Sequence, residues 1–297
     1  MDIRQPPIFR GAATALITPF RDGAIDYDAL ARLIDFQLEG GIDALVIAGT
    51  TGEASTLTDE EHRALLRYCS ERIAGRVPII AGTGSNDTRH AISLSRFASD
   101  CGYDALLIVT PYYNRASDAG LTQSYRAIAD SVTRPIILYN VPARTGVKIS
   151  LPVYRALAEH PNIVAVKEAS GDLGAVAHLM AELGNRFDVY CGNDDVTIPV
   201  MSLGGLGTIS VLSNLMPRET SAMCRKYLTG DVKGATADQL RLLPLIDALF
   251  AEVNPIPVKA AAALMGLCRE EYRLPLCSPS SATKSRLREA MVKAGLL

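Results

Sequence analysis

The stretch with the clearest chemical potential is Asn162-Ile-Val-Ala-Val-Lys-Glu-Ala-Ser-Gly-Asp172. Ile163 to Val166 is an unbroken apolar run, read as a short buried strand, and it ends in Lys167. Holding an ammonium away from water is costly, so burial favours the neutral form of an amine. A neutral amine on a rigid strand end attacks carbonyl carbons and traps them as a Schiff base. The same residues also allow Lys167 to reach solvent along its stem or to pair with Glu168. Tyr139 closes a second apolar run, and a phenol beside an amine can move protons at the carbon the amine attacks; a purely structural tyrosine is the other reading. Thr50 and Thr51 sit at a glycine turn, where a Thr-Thr pair often only caps backbone. Arg144 lies in a Pro- and Gly-containing loop and could grip a carboxylate as a fork, or simply be solvated. Asp194-Asp195 could suggest a metal pair, but a helix N-cap is expected. The four histidines, His62, His90, His160 and His178, fall on or beside helices with no H-x-x-x-H spacing. They are expected to be surface or cap residues, with no metal site, and none ends a strand as a Ser-His-Asp triad would need.

The elements that must hold these residues follow from hydrophobic periodicity. Strands are expected over 9–17, 44–48, 77–81, 105–109, 135–139, 163–166, 187–191 and 207–211. Amphipathic helices fall between them. Asp26, Ser117, Ser150 and Asp172 stand at cap positions, and Thr58 with Glu61 makes a capping box. Strands alternating with helices imply parallel crossover units. Eight such units imply an α/β fold, a closed (β/α)₈ TIM barrel, with a doubly wound sheet as runner-up. No G-x-G-x-x-G follows the first strand, which disfavours the runner-up. The barrel is expected to occupy residues 1–230, followed by a three-helix appendage over 231–297 with helices at 235–253, 257–267 and 281–294. The loops from strand to helix are the longer and more polar ones, and in a barrel they gather at the C-terminal ends of the strands. Thr50, Thr51, Tyr113, Tyr139, Arg144, Lys167, Gly192 and Ile209 should therefore share one mouth.

The totals bound the function. The chain has 297 residues, 48% of them hydrophobic, and a formal net charge of -2. Acids and bases are mixed, without the basic stripe a nucleic-acid partner would need. No apolar run reaches membrane-spanning length, and Met1–Pro7 lacks an apolar signal segment. The six cysteines have no C-x-x-C pair and are expected to be free thiols in a reducing cytoplasm.

Five motifs then carry a resemblance: Gly49-Thr-Thr-Gly-Glu53, Pro111-Tyr-Tyr-Asn114, Tyr139-Asn-Val-Pro142 with Arg144-Thr-Gly146, Lys167-Glu-Ala169, and Asn254-Pro-Ile-Pro-Val-Lys259. In this order the chain resembles the dihydrodipicolinate synthase / N-acetylneuraminate lyase family of pyruvate-dependent class I aldolases over nearly its whole length. The Thr50-Thr51 pair and Arg144 resemble the synthase branch, whose members condense pyruvate with L-aspartate 4-semialdehyde on the route to diaminopimelate and lysine. Val147-Lys148 and Ser170-Gly171-Asp172-Leu173 are instead lyase-like.

The resemblance implies that Lys167 forms the Schiff base and that Tyr139, Thr50 and Tyr113 make a proton relay, Tyr113 coming from a neighbouring subunit. It also implies that Thr51 and nearby amides hold the pyruvate carboxylate. Arg144 would hold the second carboxylate and steady Tyr139, and Ile209 and Gly192 would line the pyruvate pocket. No metal or organic cofactor is implied, and the expected assembly is a homotetramer built as a dimer of dimers. Lysine-sensitive relatives use positions matching Ala54, Ser55, Asp59, His62, Asn86, His90 and Tyr112. A histidine at position 90, where sensitive members carry glutamate, implies weak or absent lysine feedback. The alternatives are another aldolase of the family, such as N-acetylneuraminate lyase or a 2-keto-3-deoxy sugar acid aldolase or dehydratase, and, remotely, a barrel that binds small acids without catalysis.

Overall fold

Among the residues described by the computed structural model, 6–297, eight strands close into one parallel barrel. Residues 1–5, part of the stretch read above as lacking a signal segment, lie outside the described residues. The strands are β1 Gly11–Ala15, β2 Ala44–Ile47, β3 Ile79–Gly82, β4 Ala105–Val109, β5 Ile136–Asn140, β6 Ile163–Glu168, β7 Asp188–Cys191 and β8 Gly207–Ser210. Each pairs with its successor, and β8 returns to β1. The expected barrel is the fold observed, and the open-sheet alternative falls away. The closing seam brings Gly11 opposite Gly207. At Gly207, φ is +152° and an added Cβ would lie 1.8 Å from the Gly11 carbonyl oxygen, so only glycine lets the two backbones approach there.

The surrounding helices are α1 Tyr27–Glu39, α2 Asp59–Ile73, α3 Thr88–Asp100, α4 Asp118–Asp130, α5 Leu151–Leu157, α6 Leu173–Leu183, α7 Thr197–Ser202 and α8 Pro217–Leu228. Helices α1 to α6 start at side-chain caps. Asp26, Asp87, Ser117, Ser150 and Asp172 each accept a hydrogen bond from a first-turn amide. The Thr58–Glu61 box is closed in both directions. Such caps are typically worth about 1 kcal/mol each. A two-stranded hairpin, Phe20–Arg21 with Ala24–Ile25, was not anticipated. Its signal is Asp22-Gly23, both with positive φ, which is the hairpin turn whose twist suits the flanking strands.

Two apolar cores result. One fills the space between barrel and helices; the other, built largely from Ala13, Ala44, Ile80, Ala105, Ile137 and Ile209, fills the barrel interior. Phe9 and Tyr190 stack within the interior core, their ring centroids 4.2 Å apart. Three further helices follow: α9 Val232–Leu249, α10 Ile256–Leu264 and α11 Ser281–Lys293. Helix α9 packs on α8 and α11. The segment after α10 reaches back to the hairpin, where Glu271 accepts from the amides of Asp22 and Gly23 at 3.0 and 2.7 Å.

Candidate active site

Which way Lys167 points depends on one irregularity. Ile136 pairs with Ile163, but Ile137 pairs with Ala165, so Val164 is an extra residue on β6. Ile163 faces the helices, and strict alternation from it would turn residue 167 toward the helices as well. The bulge inverts the parity. Ala165 belongs to the interior core, and Lys167, two residues on, faces inward beside it. Lys167 lies directly across from Tyr139 in the β5–β6 register, and its Nζ sits 4.4 Å from the centre of the Tyr139 ring. The residue is 6% exposed, and no hydrogen bond or ion pair to its amine is found among the described residues. It does not pair with Glu168. That carboxylate faces the other way, accepting from Asn140 Nδ2 at 2.9 and 3.1 Å and from the Ser170 amide at 2.8 Å. The Tyr154 hydroxyl donates to it as well, at 3.3 Å.

The strand ends on either side shape the space around the amine. Gly192 follows β7; a Cβ there would lie 2.6 Å from the Ala169 Cβ and 3.1 Å from the Lys167 Cε. Ile209 of β8 is fully buried in the same interior core as Tyr139. Asp194 was expected to cap a helix. It is instead buried, and its Oδ2 accepts from the Val211 and Leu212 amides, both at 2.9 Å, which ties the loop after β8 to the turn after β7. Burial raises its pKa, while hydrogen bonds from Ser210 and these amides, and the charge of Lys167, oppose that rise.

A cavity of about 250 Å³ opens at the C-terminal ends of β2 to β5. Thr50, Tyr139 and Arg144 line it, so Tyr139 is the residue shared between the cavity and the amine. Ala54, Ser55, His62, His90 and Tyr112 line it too. His62 departs from the surface or cap role expected of it. It is buried, its Nε2 lies 3.1 Å from the Gly82 carbonyl oxygen, and desolvation drives its pKa down to about 4. His90 is paired with Asp59 at 2.8 Å. Tyr113 is not brought into this group. It is 93% exposed with φ +71° and does not line the cavity. The lyase-like Lys148 and Asp172 form a half-exposed ion pair at 3.1 Å, and neither lines the cavity.

The Thr50–Thr51 turn is held from the C-terminal segment, which sequence reading assigned no task. Thr51 is buried, and Asn254 Nδ2 donates to its Oγ1 at 2.9 Å. Arg144 Nη2 donates to the Asn254 carbonyl at 2.9 Å. Glu53, closing the same turn with φ +54°, is ion-paired with Lys259 of α10, both side chains fully buried. The available signal was the Asn254-Pro-Ile-Pro-Val-Lys259 motif, which joins both anchors in six residues.

A closed (β/α)₈ barrel with an inward amine beside a phenol at the C-terminal strand ends has the layout of a carbonyl-trapping lyase. The model of the Dihydrodipicolinate synthetase family matches residues 8–294, and the chain belongs to that family. It is 48% identical over 290 residues to the 4-hydroxy-tetrahydrodipicolinate synthase of Pelobacter propionicus, covering 98% of this chain and all of that one. Among solved structures, dihydrodipicolinate synthase from Aquifex aeolicus is similar with a TM-score of 0.95 at 43% identity, over 97% of this chain and 99% of that one. The chloride-inhibited dihydrodipicolinate synthase of Acinetobacter baumannii, solved in complex with pyruvate, is similar with a TM-score of 0.95 at 42% identity, over 97% of this chain and 99% of that one.

Proposed function

We propose that this chain condenses pyruvate with L-aspartate 4-semialdehyde to give 4-hydroxy-tetrahydrodipicolinate, with Lys167 as the covalent catalyst. The observation that carries this reading is the inward, unpaired amine 4.4 Å from the Tyr139 ring at the edge of the cavity. Full-length similarity to synthases supports the choice of acceptor. Lys167 Nζ attacks the pyruvate ketone, and loss of one water leaves an iminium. The iminium draws electrons from the methyl carbon, which gives up a proton to form an enamine. The enamine carbon bonds to the aldehyde carbon, and the aldehyde oxygen takes a proton. The acceptor's own amine then adds to the iminium carbon and displaces Lys167. This closes a six-membered ring and frees the enzyme, so one water is lost in the whole reaction.

Tyr139 and Thr50 serve as the relay for these protons. Thr51 and the adjacent amides hold the pyruvate carboxylate, and Arg144 holds the carboxylate of the semialdehyde. Gly192 and Ile209 bound the space in which the imine forms. Tyr113, exposed and outside its own cavity, completes the relay of a partner subunit in a homotetramer. The setting is cytoplasmic: all six cysteines are free thiols, and no helix among the described residues is long and apolar enough to cross a membrane. No metal or organic cofactor enters this scheme, since the lysine itself supplies the electrophile.

Borohydride reduction with pyruvate tests the central step. A stable adduct on Lys167 is expected, and its absence would overturn the reading. Turnover of semialdehyde but not of N-acetylneuraminate is expected; the reverse would transfer the chain to the lyase branch. Lysine should inhibit weakly, because position 90 offers an imidazole engaged with Asp59 rather than a free carboxylate. Inhibition at sub-millimolar lysine would contradict this.

A further inference from the structure

Asn254 lies between α9 and α10, on the C-terminal side of the chain, yet both of its polar faces serve the mouth of the barrel. Its side-chain Nδ2 donates to Thr51 Oγ1 at 2.9 Å, and its main-chain oxygen accepts from Arg144 Nη2 at 2.9 Å. The residue is buried, and its Oδ1 has no hydrogen-bond partner. A buried acceptor left open is costly, and such exceptions in a folded protein call for a reason. Turning the amide over would let Oδ1 accept from the Thr51 hydroxyl but would strand the amide hydrogens instead.

The orientation seen has a definite consequence for Thr51. A hydroxyl has one hydrogen to give and two lone pairs. Because Asn254 fills a lone pair, the Thr51 hydrogen remains free, and no acceptor for it is found among the described residues. An acid that bears a carboxylate beside the reacting ketone supplies that acceptor.

We propose that Asn254 is a positioning residue: it holds the Thr51 hydroxyl as a donor toward the carboxylate of the 2-oxo acid, while its carbonyl fixes the guanidinium that faces the second substrate. This rests on the pyruvate-binding role given to Thr51 above. The side chain therefore governs the first substrate, and the main chain, which substitution leaves in place, governs the second.

The test is steady-state kinetics of Asn254→Ala, Asn254→Asp and Thr51→Val, with the double variant Thr51→Val/Asn254→Ala, on the full chain. Losing a neutral hydrogen bond to the hydroxyl should raise the pyruvate KM of Asn254→Ala roughly 3- to 10-fold. Asn254→Asp is nearly isosteric but can only accept when ionised. It should draw the Thr51 hydrogen to itself and repel the carboxylate, raising that KM roughly 10- to 100-fold. In the Thr51→Val background, Asn254→Ala should add less than about 2-fold, because the group it acts through is gone. The KM for the semialdehyde should move less than about 2-fold in Asn254→Ala.

An unchanged pyruvate KM in Asn254→Asp, or equal effects of Asn254→Ala with and without Thr51, would overturn the proposal. If one variant does not fold, the other decides on pyruvate KM alone. Borohydride trapping of pyruvate on the unsubstituted chain separates the levels. An adduct with unresponsive Asn254 variants removes only this inference, and no adduct removes the parent reading and the inference together.

Discussion

Two lysines are buried among the described residues, Lys167 and Lys259, and they are treated in opposite ways. Lys259, in α10, is fully enclosed with Glu53, and its Nζ lies 4.0 Å from the Phe20 ring centre and 5.5 Å from that of Tyr272. Burial pushes its pKa down, and the charge and hydrogen bond of Glu53 pull it part of the way back. Lys167, on β6, is given an aromatic ring but no carboxylate. The protein has anions near enough to offer: Glu168 is the next residue, and Asp194 is close enough to be influenced by the lysine's charge. Both are occupied with amides, Glu168 on the outer side of the barrel wall and Asp194 on the loop after β8. A paired, enclosed ammonium ties two segments together and is chemically inert. An unpaired amine against the ring of a cavity-lining tyrosine is available to a carbonyl carbon. The difference between a structural and a reactive lysine here lies in what the neighbouring carboxylates are kept busy with.

Exchanging each lysine for methionine should therefore give opposite phenotypes. Lys167→Met removes the nucleophile, and turnover should fall roughly 10³-fold or more, as for loss of a covalent catalyst. The urea midpoint should stay the same or rise, since no ion pair is broken; a large fall in stability would show the amine to be structural. Lys259→Met leaves Glu53 buried without a partner. Breaking one side of a buried pair costs about 3–5 kcal/mol, read as a lower denaturant midpoint. The double variant Lys259→Met/Glu53→Gln should recover part of that loss. If Lys259→Met were neutral, the pairing would not be what holds α10 against the Thr50–Thr51 turn.

A third buried base sharpens the contrast. His62 is neither paired with an acid nor free; it is kept neutral by burial against the Gly82 carbonyl, with a pKa of about 4. The unfolded chain would bind a proton near the ordinary histidine value, so between that value and about 4 the unfolded state holds more protons. Stability from this site is therefore present at neutral pH and is lost as pH falls through about 6.5 toward about 4. The full loss is about 3 kcal/mol, at 1.36 kcal/mol per pH unit. Denaturant titrations at pH 7 and pH 4.5 should show His62→Gln flattening this part of the profile. An unaltered profile would mean that other groups carry the acid sensitivity.

The barrel was legible because its signals are local. Apolar runs ended at β4 and β5 within a residue of where the structure ends them, and Asp26, Thr58, Ser117, Ser150 and Asp172 were found capping, whereas Asp194 was not. The identity of the amine was legible too, from its place at the end of Ile163–Val166. Its direction was not: it depends on the extra residue at Val164, which no composition or spacing marks, since Val suits a regular strand as well as a bulge. The anchors of the Thr50–Thr51 turn were hidden for a different reason. Asn254 and Lys259 act on Thr51 and Glu53 across more than two hundred residues of chain, with separations of 203 and 206. Periodicity has nothing to say about such contacts. His62 was misread because its helix presents it to the inner face at the same spacing that buries Leu65 and Leu66, a pattern that apolar residues alone had been used to trace.

The smallest change that should separate the two lysines is a single methyl. At Gly192 an added Cβ meets the Ala169 Cβ at 2.6 Å and the Lys167 Cε at 3.1 Å. The Ala169 clash, with the Glu168 carbonyl oxygen also 3.1 Å away, can be relieved only by movement of the turns after β6 and β7, and the Lys167 stem beside the same methyl is displaced with them. Gly192→Ala should therefore misplace the amine while leaving the remote Lys259–Glu53 pair intact. Overpacking of this kind costs about 1–3 kcal/mol, and if the strain falls on the reactive geometry, turnover should drop about 10- to 100-fold. Borohydride trapping should slow in step with it. A variant that loses stability but traps pyruvate at the normal rate would mean that the strain relaxes into the backbone, and that the space beside Lys167 is not what aims it.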